Sequence, residues 1–496
     1  MRAAEEAAFS RGIEVEALMD QAGAGIARAI RQFFPHTGEC IVYAGKGHNG
    51  GDALVAAECL QREGWKIDIR LPFPESDCSE LTRKKLVALS EGSKPSPANQ
   101  DRIGRTIILD GLLGVGTKSF LREPLRVTVR ELNQLRIERN AFVFAVDLPT
   151  GFNSDTGEID PDSVVADFTV TIGFAKHAIV TDAAIDFTGR LIIVPLPDLE
   201  VGGARNELVA TARGLTGRIP RRKFGAYKNQ LGRIGVVAGS KGFVGAALMT
   251  ATGVLRSGAG LVTVATPLSC VPIVAASMPE LMTEPLDETP AGTIANASIT
   301  KLLEGKTILG IGPGLGVDPQ TQALVRMTLR EATVPVVVDA DGLNAFAAHA
   351  QELRGSGQSF VVITPHPGEM ARLIERDTDY VNGNRIDVAR DFAVRQQIYV
   401  VLKGFRTVVA TPDGQVFINS TGNPGMATGG IGDILTGMLT GILAQQNLGS
   451  FAERVLFAVY LHGLAGDLGA EEVGEESLVA TDLFYYIGQA WEQIRE

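Results

Sequence analysis

The sequence predicts an α/β protein of two domains, each a parallel sheet between two layers of helices. Short apolar and β-branched runs alternate with helical patterns along both halves of the 496-residue chain, and this order is typical of βαβ units. Glycine is abundant, with 57 residues, whereas aromatic residues make up only 6% of the chain. Many tight turns and few large rings favour α/β architecture over an aromatic-rich β-protein. A chain of this length is also too long to form a single hydrophobic core, which favours more than one domain.

The first half begins with a helix over about residues 14–34, in which apolar side chains recur every four positions. A second helix, over about residues 51–63, follows a glycine-rich turn. The strands of this half are short and apolar enough for a sheet that is buried on both faces, and the last of them is a candidate edge strand. The predicted strands are Cys40–Ala44, Lys66–Leu71, Thr106–Leu109, Phe142–Val146, Phe168–Ile172 and Leu191–Val194.

The pattern restarts after a segment at about residues 200–222, which contains paired glycines and a basic cluster. We therefore place the first domain at residues 1–205 and the second at residues 220–496. Helices separate most strands of the second domain. Its predicted strands are Arg233–Ala238, Leu261–Ala265, Thr307–Ile311, Pro335–Val338, Phe360–Ile363, Tyr399–Leu402 and Thr407–Ala410.

Composition narrows the class of ligand. The formal net charge of −11 disfavours non-specific binding to nucleic acid or to anionic membranes, and no apolar run approaches the ~18 residues that a membrane span needs. The four cysteines have no metal-ligand spacing, and scattered thiols fit a reducing compartment. The N-terminus is acidic and lacks the apolar core of a signal peptide. We expect a cytoplasmic protein with small-molecule ligands.

The first glycine-rich turn, Gly-Lys-Gly-His-Asn-Gly at residues 45–50, lies between a strand and a helix. It fits G-x-G-x-x-G, and Asp68 lies about 20 residues further on, as in a dinucleotide-binding Rossmann motif. Asn49 and Asp52, however, place an amide and a carboxylate where that motif has small apolar residues. The turn therefore predicts a phosphate-bearing ligand at a helix N-terminus, and His48 is expected to be a surface residue of this loop.

Two further aspartates follow strands of the first domain. Asp110 ends one predicted strand and Asp147 ends the next, so both should meet Asn49 at the carboxyl edge of the sheet. Oxygen ligands of this kind suit a hard cation or acid–base chemistry on a small polar substrate. For Asp147 alone, a helix N-cap is an equally good interpretation.

The second glycine-rich turn precedes an apolar helix over about residues 434–444 and has the sequence Gly-Gly-Ile-Gly-Asp at residues 429–433. No Walker motif is present in the second half. Backbone N–H groups at the start of this helix can form an anion hole for a phosphoryl group, and Asp433 could take a proton from a substrate hydroxyl. A simple N-cap would not need three glycines in four residues, which favours a functional role.

Further polar residues follow other strands of the second half, in the runs 339–344, 364–369 and 403–404. His366 lies between two prolines, which restrict its backbone. Glu369 could hold a magnesium-bound water, or it could be a first-turn carboxylate that the helix dipole favours.

Residues 1–200 resemble the N-terminal domain of the NAD(P)H-hydrate epimerases, the YjeF N-terminal family, with a Rossmann-like fold. The matching runs are residues 18–23, 49–52, 110–116, 146–151 and 155–157. The resemblance implies interconversion of R and S hydrated NAD(P)H and potassium ligation by Asn49, Asp110 and Thr150. It also implies substrate contacts by His48, Asn49, Gly50, Gly51, Asp52, Gly114, Val115, Gly116, Thr117, Lys118, Ser119, Phe120 and Asp147.

The chain departs from this family at a few positions. His48 stands where asparagine is usual, Ala53 and Gly111 replace glycine and alanine, and Thr150 replaces a common serine while keeping the hydroxyl. Asp147 is the candidate residue for proton transfer. The same domain can also serve as a dimerising or binding module, which is the non-enzyme alternative for this half.

Residues 225–496 closely resemble the ADP- or ATP-dependent NAD(P)H-hydrate dehydratases, which have a ribokinase-like fold. The matching runs are residues 245–247, 256–261, 279–280, 312–316, 339–344, 364–369 and 423–433. The resemblance implies Mg²⁺ with ADP or ATP and catalysis by Asp433. It implies hydrate contacts at Ala246, Gly316, His366 and Asp433, and nucleotide contacts at Lys403, Gly404, Phe405, Arg406, Thr407 and Gly432.

Together the two halves imply repair of hydrated nicotinamide dinucleotides, in which the first domain supplies the S epimer and the second dehydrates it. The fused arrangement favours ADP over ATP, and we expect a homo-oligomer. The principal alternative is a ribokinase-like kinase of a vitamin precursor, joined to a non-catalytic N-terminal module. The Thr-Pro-His-Pro-Gly-Glu run at residues 364–369 favours the dehydratase branch.

Overall fold

The computed structural model describes residues 2–91, 104–116, 120–199, 206–216, 220–295, 297–354 and 359–495. The chain divides into two compact units, Met1–Ala204 and Arg205–Glu496. Each unit has a largely parallel sheet with helices on both faces, so the predicted α/β class is confirmed.

The sheet of the first unit is entirely parallel. Its strand order is β2-β1-β3-β4-β5-β6, so all carboxyl ends lie at one edge, and the strand predicted to lie at an edge does so. The strands are β1 (Glu39–Ala44), β2 (Lys66–Arg70), β3 (Thr106–Gly111), β4 (Phe142–Val146), β5 (Phe168–Ile172) and β6 (Arg190–Val194).

Helices cover both faces of this sheet because its strands are apolar on both sides. One buried cluster packs β1, β3 and β4 against helices that include Ile26, Leu54 and Leu86, and another packs the opposite face against Val129 and Leu132. The helices are α1 (Arg2–Ser10), α2 (Val15–Phe33), α3 (His48–Arg62), α4 (Glu80–Glu91), α5 (Leu125–Glu138), α6 (His177–Val180) and α7 (Ile185–Thr188).

The sheet of the second unit is larger and mixed. Its order is β10-β9-β8-β11-β12-β13-β14-β15-β16-β7, and only the β14–β15 and β15–β16 pairs are antiparallel. The strands are β7 (Glu207–Ala210), β8 (Arg233–Val237), β9 (Leu261–Pro267), β10 (Met282–Leu286), β11 (Ile308–Ile311), β12 (Val336–Val338), β13 (Val361–Ile363), β14 (Tyr399–Leu402), β15 (Val408–Ala410) and β16 (Val416–Asn419).

Three of these strands, β7, β10 and β16, are absent from the sequence prediction. β10 contains Pro285, which a sequence pattern counts against a strand but which an edge strand tolerates. β7 pairs in parallel with β16, so residues from 207 onward belong to the second unit, upstream of the start predicted at residue 220. A four-residue edge strand gives no periodic signal long enough to be recognised.

Two buried apolar clusters cover the faces of the second sheet. None of the helices within the described ranges combines the length and apolar character of a membrane span. The helices of this unit are α8 (Ala212–Leu215), α9 (Val244–Arg256), α10 (Val271–Ser277), α11 (Ile299–Leu303), α12 (Pro319–Glu331), α13 (Asp341–Asn344), α14 (Pro367–Ile374), α15 (Thr378–Gly383), α16 (Arg385–Gln396), α17 (Ile431–Leu443), α18 (Phe451–Val473) and α19 (Leu483–Arg495).

Candidate active sites

A cavity of about 860 Å³ opens at the carboxyl edge of the first sheet. The start of α3 and the segments after β3 and β4 contribute to its lining, as the strand-end argument predicts. Predicted contact residues in the lining are His48, Asn49, Asp52, Gly114, Val115, Gly116, Phe120 and Asp147. Thr117, Lys118 and Ser119 lie outside the described residues. Gly50 and Gly51 are buried in α3 and do not line the cavity.

The glycine-rich turn before α3 needs glycine because other backbone lies against it. A Cβ atom on Gly45 would be 1.9 Å from the carbonyl oxygen of Leu112, and one on Gly50 would be 2.0 Å from that of Gly45. His48, the first residue of α3, is exposed at the cavity, as expected. Asp68 instead forms an ion pair with Arg70 on the edge strand β2 and is not part of the lining.

The three predicted potassium ligands meet beside Leu113. The Thr150 hydroxyl donates to Asp110 Oδ1 (2.7 Å), and the Thr150 N–H donates to Asp110 Oδ2 (2.8 Å). The Leu113 N–H donates to the Thr150 hydroxyl (3.1 Å), while Asn49 Nδ2 donates to the Leu113 carbonyl (2.9 Å). Asp110 is fully buried, and burial raises its pKa to about 6 against the lowering effect of these hydrogen bonds. A buried carboxylate among oxygen side chains fits a hard monovalent cation.

Asp147 is held by a lysine that the sequence analysis missed. Lys176, which follows β5, forms an ion pair with Asp147 Oδ1, and both side chains are 9% exposed. The Ile172 N–H also donates to Asp147 Oδ1 (3.1 Å). Asp147 has a left-handed backbone with φ of 67°, a conformation that Asp and Asn tolerate better than most residues. These contacts favour a fixed site residue over a helix N-cap.

Ala53 and Gly111, which both depart from the family pattern, occupy one shared space. A Cβ atom on Gly111 would lie 2.4 Å from the Cβ of Ala53. Ala53 therefore fills the volume that an alanine at position 111 would need. The two departures compensate each other and leave the packing between α3 and β3 intact.

This compensation predicts strong coupling between the two positions. Gly111→Ala should destabilise the first unit by about 1–3 kcal/mol through overpacking, and Ala53→Gly by about 1 kcal/mol through helix propensity and a lost methyl group. The double variant should be more stable than the sum of the two losses. A double-mutant cycle on urea unfolding of the first unit measures this coupling, and additivity of the two changes would contradict it.

In the second unit, helix α17 begins at the glycine-rich turn. Gly430 has a left-handed backbone with φ of 94° and immediately precedes the helix, and Asp433 lies in the first helical turn. Within the described part of the chain, Asp433 has no hydrogen-bond or ion-pair partner. Its carboxylate is therefore available to a ligand at the helix N-terminus.

A buried ion pair lies beneath this turn. Lys403, at the end of β14, donates from Nζ to Asp339 Oδ1 (2.6 Å), and Thr436 of α17 donates to Asp339 Oδ2 (2.6 Å). A Cβ atom on Gly432 would lie 3.4 Å from Lys403 Nζ. The predicted nucleotide residues Lys403 and Gly432 are thus adjacent, and the ammonium group adds positive charge to the helix N-terminus.

Burial and the neighbouring charges together raise the pKa of Asp433. Burial and the neighbouring carboxylates, Asp339 before Asp341 and Glu369, raise the pKa of Asp433 to about 7, while Lys403 opposes them. Burial disfavours the charge of Lys403, but the carboxylates of Asp339 and Glu369 outweigh it and raise the Lys403 pKa. The site therefore combines a permanent cation with a carboxyl group that titrates near neutrality, as a general base should.

His366 and Glu369 form a capping box at the start of α14. Glu369 Oε2 accepts the His366 N–H (2.8 Å), and His366 Nδ1 accepts the Gly368 N–H (3.0 Å). Of the two sequence interpretations, the structure supports Glu369 as a first-turn helix carboxylate. His366 Nε2 lies 3.5 Å from Glu369 Oε1, and the His366 side chain is 52% exposed.

The remaining predicted contacts also lie near the carboxyl edge of the second sheet. The Gly316 N–H donates to Asp341 Oδ2 (2.8 Å), and a Cβ atom on Gly314 would meet the Cβ of Ala246 at 2.9 Å. Arg385, which the sequence analysis missed, supports the 403–407 loop by donating to the carbonyl of Phe405 (2.7 Å). The other loop members are Gly404, Arg406 and Thr407.

The carboxylates that neighbour Asp433 form hydrogen bonds within the protein. Asp339, Asp341 and Glu369 each accept hydrogen bonds from neighbouring protein groups, and no cluster of three or more His, Cys, Asp or Glu side chains suited to a metal occurs in the described ranges. A magnesium ion would fit here chiefly through the phosphates of a nucleotide.

Comparison with known proteins assigns a family to each half of the chain. A family model described as NAD(P)H-hydrate dehydratase matches residues 234–489, and one described as YjeF-related protein N-terminus matches residues 15–178. A crystal structure of the ADP/ATP-dependent NAD(P)H-hydrate dehydratase from Bacillus subtilis, co-crystallised with ATP/Mg²⁺, is similar with 30% identity and a TM-score of 0.51. The match covers 59% of this chain and 100% of the Bacillus subtilis chain.

Two relatives match nearly the whole chain. The bifunctional NAD(P)H-hydrate repair enzyme of Moorella thermoacetica is 36% identical over 498 residues, 97% of this chain and 93% of that protein. The enzyme of the same description from Thermofilum pendens is 34% identical over 511 residues, 99% and 94% of the two chains. These matches do not favour a vitamin-precursor kinase with a non-catalytic N-terminal module. The chain belongs to the family of bifunctional NAD(P)H-hydrate repair enzymes.

Proposed function

We propose that this chain repairs hydrated NADH and NADPH in two steps, with epimerisation of the R and S hydrates in the first unit and nucleotide-dependent dehydration of the S hydrate in the second. The observation that supports this most is the presence of two separate sites, each of which has a glycine-rich turn at a helix N-terminus and an aspartate beside a buried lysine.

In the second unit, Asp433 accepts the proton of the ring hydroxyl, whose oxygen then attacks the terminal phosphorus of ADP or ATP. Lys403 and the N–H groups of the turn at residues 430–433 stabilise the charge on the transferring group. The phosphorylated oxygen leaves with its carbon–oxygen bond pair, and loss of a proton from the neighbouring ring carbon restores NAD(P)H. The half-exposed His366 side chain contacts the hydrate, and the loop from Lys403 to Thr407 contacts the nucleotide, whose phosphates would carry the magnesium ion. We favour ADP as the phosphoryl donor.

In the first unit, the cavity binds either epimer, with its phosphates at the start of α3 and its ring near Asp147. Potassium would be held by Asn49, Asp110 and Thr150, where it would offset the charge of the buried Asp110 carboxylate. His48 replaces an asparagine in this turn but keeps a side chain that can donate to phosphate.

The proposal also covers the compartment and the oligomeric state of the protein. The cysteines in the described ranges are free thiols, which supports a reducing compartment such as the cytoplasm. We also propose a homo-oligomer, which light scattering of the purified chain would test.

The function is tested with a mixture of R and S NADHX and with ADP or ATP in parallel reactions, followed by NADH absorbance. Complete conversion of both epimers, faster than spontaneous epimerisation, is the expected result. Conversion that stops near the S fraction would remove the epimerase half of the proposal. No conversion with either nucleotide would remove the dehydratase half.

Replacement of potassium by tetramethylammonium should slow epimerisation at least about tenfold and lower the melting temperature of the first unit, because the Asp110 charge then lacks its counter-ion. S-NADHX dehydration serves as the control for the second unit. Asp110→Asn should lose the thermal response to potassium. An unchanged melting temperature in the wild-type protein would contradict the proposed ligand set.

A further inference from the structure

Two carboxyl groups in the first-unit cavity have contrasting surroundings. Asp147 is fixed by Lys176 and by the Ile172 N–H. Asp52, in α3, also lines the cavity, but within the described residues its carboxyl has neither a hydrogen-bond donor nor an ion-pair partner. One carboxyl is thus bound to a cation, and the other is left facing the ligand space.

The wall of the cavity disfavours ionisation of Asp52 beside Asp147. Asp52 is only partly accessible, and much of the wall that α1, α2 and the segment after β6 contribute is apolar. The charged groups that act on Asp52 are Asp147, Lys176 and Glu5 of α1. Burial, then Asp147, raise the pKa of Asp52 well above its ordinary value, while Lys176 opposes them and Glu5 adds to the rise. The apolar lining residues from these three segments are Phe9, Val15, Leu18, Met19, Ala22, Leu196 and Leu199.

We propose that Asp52 and Asp147 form the acid–base pair of epimerisation, with Asp52 as the proton donor, Asp147 as the proton acceptor and Lys176 as the positioning residue that holds Asp147. This inference rests on the proposed epimerase function. It assigns Asp52 a proton-transfer role in addition to binding. Two carboxyl groups with contrasting environments in one site are a recurrent arrangement for acid–base catalysis.

The chemistry balances without an oxidant or reductant. The hydroxylated ring carbon adjoins the ring nitrogen, whose lone pair can form a carbon–nitrogen double bond as the carbon–oxygen bond breaks. Asp52 donates its proton to the departing hydroxyl, which leaves as water. A water molecule then adds to the other face of the same carbon, the double-bond pair returns to nitrogen, and the proton of that water goes to Asp147. Exchange with solvent resets both carboxyl groups.

Asp52→Asn tests the donor role. Asparagine has the shape of a neutral carboxylic acid, so the fold should persist, but it cannot donate the proton. We expect kcat for R-to-S conversion to fall about 100-fold or more, with little change in KM and full dehydratase activity on S-NADHX. Asp68→Asn, on the edge strand outside the cavity, is the matched control and should retain epimerisation. Epimerisation by Asp52→Asn at half the wild-type rate or more would overturn the proposal.

Lys176→Met and isotope exchange add independent readouts. Without the lysine, Asp147 loses the contact that holds it in place, so Lys176→Met should lower kcat for epimerisation more than it raises KM, and Lys176→Arg should restore kcat. In H₂¹⁸O, wild-type epimerisation should place ¹⁸O on the ring carbon at the rate of inversion. Inversion without ¹⁸O incorporation, or an unchanged kcat in Lys176→Met, would overturn the inference. Absence of epimerisation in the wild-type chain would instead refute the proposed function.

Discussion

Asp433→Asn is expected to reduce dehydration of S-NADHX about 100- to 10,000-fold, because it removes the proposed base. The variant keeps the shape of the side chain and the start of α17, so nucleotide affinity should change little. Its first-unit epimerisation should be unchanged. The measurement is the return of NADH absorbance with pure S epimer and saturating ADP.

The pH dependence of dehydration by the wild-type protein tests the same role of Asp433. Since burial and neighbouring carboxylates raise the pKa of Asp433 to about 7, the base is mostly protonated in acid and ionised above neutrality. We expect kcat/KM to rise about tenfold per pH unit below that value and to level off above it. Asp387→Asn, an exposed position on α16, is the control. A flat profile between pH 5.5 and 8, or substantial activity in Asp433→Asn, would contradict the assignment.

Asp147→Asn is expected to lower epimerisation about 100-fold or more, because the amide cannot accept a proton. Asparagine also tolerates the left-handed backbone at this position, so the loss should not reflect unfolding. With mixed epimers and ADP, NADH should appear rapidly up to the S fraction and then only at the spontaneous rate.

The dehydratase reaction of the same preparation reports whether the second unit is intact, and the melting temperature of the first unit reports its fold. Full epimerisation by Asp147→Asn would end the role assigned to Asp147. A simultaneous loss of first-unit stability would point instead to the Lys176 ion pair as a structural contact, and Lys176→Met would then show the same instability.

Most strands and both glycine-rich turns could be predicted because their signals are local. The strand Phe142–Val146, for example, is a continuous apolar run, and a residue at its end must lie at the carboxyl edge of a parallel sheet. That argument was sufficient to bring Asn49 and Asp147 to one cavity and the buried Asp110 to the same edge of the sheet. It could not find β10, in which Pro285 interrupts the pattern, or β7, whose four residues form a strand only because β16 lies beside them.

The amino-acid sequence therefore specified the two-domain α/β plan, the family and most candidate site residues, since these depend on short patterns and motif order. The charge state of each site depended on tertiary packing. Lys176 reaches Asp147 across 29 positions, Lys403 reaches Asp339 across 64, and Thr436 reaches Asp339 across 97. No local pattern encodes such partners, because burial and long-range contacts exist only after the chain has folded. The same reason explains why Ala53 and Gly111 appear as two separate departures in sequence and as one compensated contact in space.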